Sequence, residues 1–161
     1  MIILDFGCKN SKAKEAVGVD INPNSSADIV HDLDMAPYPF PDNHADLIYA
    51  KQILEHLNNP KILIQEAYRI LKPGGKLIIE VPHFSNSYAY GDPDHKRQFT
   101  YFTFDFLFSE EQLKKVSRKL FFYHTFRFFG LQNIFNKCPN TYERFWHGII
   151  PAERIIVEME K

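Results

Sequence analysis

Apolar residues fall in short runs separated by turn signals, at residues 2–5, 16–20, 28–32, 45–50 and 76–81. Several of these runs are β-branched and apolar at successive positions, the pattern of strands covered on both faces. A helical period is clearest over residues 60–71. Asn59 stands at the cap position, Pro60 at the first turn, and Leu63, Ala67, Ile70 and Leu71 form one stripe before Lys72-Pro73-Gly74-Gly75 stops it. A second helix is expected from Ser109, because Ser109 and Gln112 have capping-box spacing and Leu113, Val116 and Leu120 follow at helical intervals. Residues 121–129 and 154–160 read as strands. The latter alternates Ile155, Val157 and Met159 with Ile156, Glu158 and Glu160, as in an outer strand. One or two short helices are expected within residues 131–151.

The resulting order, β-β-β-β-α-β-α-β-β, is that of an α/β sheet whose first half is poor in helices. Residues 6–16 and 21–27 connect the first three strands, whereas a parallel crossover usually takes about a dozen residues or more including a helix. These connections are therefore expected to be bare loops, leaving one face of the half-sheet without cover. A second subunit in a homodimer is the preferred cover, and the aromatic late segment of the same chain is the alternative.

Composition narrows the class. The 161 residues suit one domain, 1–161, with an insertion at about 83–103 after the fifth strand. A net charge of −1 provides no global field for nucleic acid or an anionic membrane. The basic-aromatic "HTFRFFG" fits a buried strand better than a nucleic-acid surface. Apolar runs are too short to span a bilayer, and Met1 leads directly into a strand-like segment with no room for a signal peptide. Two cysteines, Cys8 and Cys138, form no CxxC, which fits a reducing cytoplasm. The 15 Phe and 8 Tyr crowd the second half and suggest a pocket or an interface beyond a plain aromatic core.

In an open α/β sheet ligands sit beyond the carboxyl ends of the strands, and this chain places Asp5-Phe6-Gly7-Cys8, Asp20, Asp32, "YAKQILEH" and "VPHFSN" there. An acid after the second strand suits ribose hydroxyls, and a glycine after the first permits close backbone approach. "ILDFGC", "VGVDINP", "DIVHDLDMAPYPFPDNHADLIYAKQILEHLNNP" and "RILKPGGKLIIEVPH" together resemble the ordered motifs of class I S-adenosylmethionine-dependent methyltransferases of type 11. That resemblance implies a Rossmann-like, mostly parallel sheet with an antiparallel last strand, here trimmed of its N-terminal helices, and S-adenosyl-L-methionine as cofactor. It also implies roles by position. Asp5 and Gly7 would cradle the methionine part, Asp20 the ribose, Asp32 and Leu33 the adenine, and Ala50 and Lys51 would flank the sulfonium. Lys9 occupies the second glycine position of the family's G-C-G-x-G loop. It would meet the cofactor carboxylate, oppose the sulfonium or turn outward.

Methyl transfer needs alignment and a dry pocket more than acid–base relays, but a base helps with a hydroxyl or ammonium acceptor. His56, His83 and His95 are the candidate catalytic bases, each with a structural role as the plainer reading. Lys96 and Arg97 would bind an anionic acceptor group or form a solvated turn. His83, Asp92, Asp94 and His95 could hold a divalent metal, but no metal-ligand spacing supports them, and no metal is expected. The expected function is a cytoplasmic methyltransferase acting on a small-molecule or glycan-linked acceptor. The alternative is a degenerate methyltransferase fold serving as an interaction or regulatory subunit.

Overall fold

A computed structural model describes residues 1–109, 112, 115–128 and 130–161. Its sheet has seven strands: β1 (Ile3–Phe6), β2 (Val17–Asp20), β3 (Ile29–Val30), β4 (Ala45–Lys51), β5 (Leu71–Pro82), β6 (Val116–Phe122) and β7 (Ala152–Glu160). They lie in the order β3-β2-β1-β4-β5-β7-β6. The pairs from β3 to β5 are parallel, and β7 runs antiparallel to both β5 and β6. The chain leaves β1 in one direction for β2, while β4 pairs on β1's other side. This puts the topological switch point, where ligands of such sheets bind, at the end of β1.

Helix α1 (Pro60–Ile70) forms as its sequence signals require. The Asn59 side chain accepts from the Lys61 amide, Pro60 opens the first turn, and Leu63, Ile64, Ala67 and Ile70 are buried. With residues 33–44 it covers the face of the sheet that carries Leu4, Phe6, Ile48, Ala50, Leu77 and Ile79, all fully buried. Tyr38 packs edge-on against Phe6, donates its hydroxyl to the Leu33 carbonyl, and its amide donates to Glu66 on α1.

The opposite face is uncovered by any helix among the described residues. Leu47, Tyr49, Ile78, Phe121 and Ile156 lie half-exposed there. The polar positions between them are joined across strands by Lys76–Glu158 at 2.6 Å and Arg154–Glu80 at 3.4 Å, with Lys51 over the Tyr49 ring. The aromatic late segment does not supply the cover. Phe135 and Tyr142 pack on Phe122, on the side of the sheet already shielded by α1.

Three expectations need correction. Residues 154–160 do form a strand, but β7 lies between β5 and β6 rather than at the edge. Its alternation arises because Ile155, Val157 and Met159 face the core while Ile156 and Glu158 face the open side. The helix expected from Ser109 does not extend to Leu120, because Val116 and Leu120 belong to β6. Pairing with β7 buries Leu120 and Phe122, a period-2 signal that outweighs the accidental helical spacing. Ser109 and Gln112 do make reciprocal capping bonds, while Leu113 lies outside the described residues. The strand expected over 121–129 ends at Phe122, and His124–Phe128 is helical. The edge of β6 is closed by Asn136, whose side chain bonds both the amide and the carbonyl of Leu120.

Candidate active site

The loop after β1 turns at Gly7, whose φ of +74° and whose surroundings both exclude a side chain: a Cβ would stand 2.6 Å from Ile53 Cγ1. Gly7 donates its amide to the Val19 carbonyl, tying the loop to β2. Lys9 follows with φ +44°, a left-handed conformation that favours glycine. Its amide donates to Asp20 Oδ2 at 2.9 Å, and its carbonyl accepts from the amide and hydroxyl of Ser26. The backbone of Lys9 thus does what a glycine would do there, and its exposed side chain lines neither adjoining cavity.

Two cavities share Gly7. The larger, about 210 Å³, is lined by Asp20, Asp32, Leu33, Asp34, Ile53 and His56 among others. The smaller, about 70 Å³, is formed with Asp5, Cys8, Ser11 and Lys51. Asp20 is nearly buried, and each of its oxygens accepts one main-chain amide, from Lys9 and from Asn22. A carboxylate oxygen accepts at two sites, so one lone pair on each oxygen remains for a pair of hydroxyls. Asp32 caps its own turn through the Asp34 amide, and Asp34 in turn holds Asn58 and Asn59 at the entry to α1. Asp5 accepts from the Ala13 amide, and burial pushes its carboxyl above the ordinary range against the pull of that bond and of Lys51 and Lys12. Ala50 is fully buried in the sheet and lines neither cavity.

The histidines separate. His83 is fully buried away from both cavities. The Ser85 amide donates to its Nδ1, so Nε2 carries the proton and donates to Glu143, and burial holds its pKa below the ordinary value. It is a bracing residue of the β5–insertion junction, not a base at the cavity. His56 lines the larger cavity, and the His95 ring lies 4.8 Å from it. His95 also borders a third hollow of about 210 Å³, with Gln52, Glu80, Asn86, Tyr88 and Arg154. Arg97 is not a free cation: it donates to the carbonyls of Leu57 and Asn58 and ties the insertion down. The set His83, Asp92, Asp94 and His95 is not brought together, because both nitrogens of His83 are engaged elsewhere. Glu55, unmarked in the sequence reading, is 1% exposed beside His56 and His95, and burial pushes its carboxyl up to about 7. Its burial in "LEH" has no local signature beyond the apolar neighbours of the motif.

Residues 4–79 match the family model described as a methyltransferase domain. The chain is 29% identical over 80 residues to a probable S-adenosylmethionine-dependent methyltransferase of Mycolicibacterium smegmatis, covering 44% of this chain and 31% of that one. The described fold superposes on a SAM-dependent methyltransferase from Archaeoglobus fulgidus with a TM-score of 0.71 at 20% identity, over 99% of this chain and 85% of that one. It also matches a Haemonchus contortus phosphoethanolamine N-methyltransferase in complex with S-adenosyl-L-methionine, with a TM-score of 0.65 at 15% identity, over 100% of this chain and 48% of that one. Residues 4–79 thus resemble a methyltransferase domain, and the fold is the one found in S-adenosylmethionine-dependent methyltransferases of known structure. It spans between 16% and 31% of the length of the curated relatives it matches.

Proposed function

We propose that the protein is a methyltransferase that binds S-adenosylmethionine across Gly7 and methylates a small, polar acceptor, such as a sugar or glycan-linked group. The observation that carries the reading is the pair of cavities meeting at Gly7 with chemically different linings. The larger offers Asp20 for the ribose diol, with Asp32 and Leu33 beside the adenine. The smaller offers opposite charges, Asp5 and Lys51, matched to the ammonium and carboxylate of the methionine end. When bound, the cofactor supplies an electrophilic methyl group, so the chain has only to align the acceptor and exclude water.

The hollow beside His95 is the proposed acceptor cleft. Tyr88 presents a ring, and Gln52, Asn86, Glu80 and Arg154 present donors and acceptors, a lining suited to a polyhydroxylated molecule. His56 and His95 stand between the cofactor cavity and this cleft, where a base would take an acceptor proton. Both cysteines are free, in keeping with a cytoplasmic protein. No helix of the described residues is long and apolar enough to cross a membrane.

Incubating the protein with methyl-labelled S-adenosylmethionine and fractionated small molecules or oligosaccharides tests the reading. Accumulation of S-adenosylhomocysteine with one fraction, abolished by Asp20→Ala, is expected. Cofactor binding without turnover on any fraction would instead support a non-catalytic subunit.

A further inference from the structure

Glu55 is the one fully buried acid whose two carboxylate oxygens both lack a hydrogen-bond partner among the described residues. A carboxylate desolvated in this way is costly unless a proton or a cation compensates it. Facing it are two imidazoles whose orientation is fixed from behind. The Asp94 carbonyl lies 3.3 Å from His56 Nδ1, and the Ala89 carbonyl lies 3.1 Å from His95 Nδ1. A carbonyl can only accept, so each Nδ1 carries the proton and each Nε2 presents a lone pair. Backbone carbonyls of this kind, bonded to the far nitrogen, hold metal-ligating histidines in place. Potential ligand atoms of Glu55, His56 and His95 all lie within 4.8 Å of one another. Donors around a tetrahedral zinc ion stand about 3.4 Å apart, so closure takes shifts of about 1 Å in side chains that already converge. Asp92 stands beside the cluster, its Oδ2 3.7 Å from His95 Nε2.

We propose that Glu55, His56 and His95 form a binding site for a divalent transition-metal ion, placed between the cofactor cavity and the acceptor cleft. One carboxylate and two imidazoles suit zinc and its neighbours better than magnesium or calcium, which prefer all-oxygen sets. Three protein ligands leave a coordination position open, as in catalytic rather than structural zinc sites. His56 borders the cofactor cavity and His95 borders the cleft, so an ion here would stand where an acceptor hydroxyl is expected. The charge of the Lys9 ammonium is felt at Glu55, His56 and Asp92, and a second cation has to compete with it.

The site is tested without cofactor or acceptor, so its failure and the failure of the methyltransferase reading are separable. Metal-stripped protein is titrated with Co²⁺, following the visible d–d absorption and then its displacement by Zn²⁺. One equivalent is expected to bind with a four- or five-coordinate spectrum. Glu55→Gln and His95→Ala are each expected to weaken binding at least about tenfold, and Lys9→Met to strengthen it. His124→Ala, at an exposed histidine outside the cluster, should change nothing. Far-UV circular dichroism of each variant reports the fold. Binding undetected at millimolar Co²⁺, or binding indifferent to both Glu55→Gln and His95→Ala in folded protein, would overturn the proposal.

Discussion

At the residue scale, the site depends on a backbone path more than on side chains. Gly7 sits at positive φ with Ile53 against its α-carbon, so Gly7→Ala meets both a conformational and a steric penalty. A loss of about 2 kcal/mol or more is expected, a fall in Tm of roughly 4–8 °C for a domain of this size. Thermal unfolding of Gly7→Ala should show this loss, and adding Ile53→Ala should return part of the steric component. Equal stability of Gly7→Ala and the parent would contradict the close approach. Gly7 was legible from its place after a strand. The role of Lys9 was not, because a sequence shows the charge of its side chain but not the backbone path that bonds its amide to Asp20. Glu55 and the neutral, bracing role of His83 were equally hidden. Burial and partner choice are set by long-range packing, and His83 meets Glu143 across 60 positions of chain.

At the element scale, the loop of residues 33–44 that carries Leu33 and Asp34 is anchored to α1 at Glu66 as well as through Asp34 and Asp42. Glu66 accepts from the Tyr38 amide and is paired with Arg69, which also reaches Asp42 and the carbonyls of Phe40 and Tyr38. The Arg69 bond holds the Glu66 pKa below its ordinary 4.5, and the Tyr38 amide helps, against the opposing effect of burial. A pKa depressed by folding contributes stability that is present above about pH 4.5 and is lost as pH falls through the folded value. Glu66→Gln should therefore flatten the acid limb of a stability–pH profile below pH 4.5, measured by urea unfolding. An acid limb as steep as the parent's would contradict the assignment. Elements with a local cause were readable: α1 has its cap, its proline and its stripe, and β1, β2, β4 and β5 have their apolar runs. The β6 region misled because Val116 and Leu120 satisfy helical spacing by coincidence, and only the neighbouring β7 decides between the two periods.

At the scale of the whole molecule, strand order and reversed β7 reproduce a class I methyltransferase sheet, while one face retains no helical layer among the described residues. That bare face carries apolar side chains with balanced, cross-strand ion pairs, a surface of both signs that a second copy can complement. We propose a homodimer through it, for which light scattering at micromolar concentration should give about twice the 18.9 kDa chain mass. A mass of one chain would contradict it, and Ile156→Lys, on β7 within that face, should shift a dimer toward monomer. The topology was legible because the motif order fixes strand order. The covering of the sheet was not, since a sequence does not show which other surface meets its open face. The central claim, that the cofactor lies across Gly7 with its ribose on Asp20, is tested most directly by calorimetric titration with S-adenosylhomocysteine. Saturable one-to-one binding is expected, weakened roughly thirtyfold or more by Asp20→Ala; no heat at millimolar ligand, or equal affinity in folded Asp20→Ala, would contradict it.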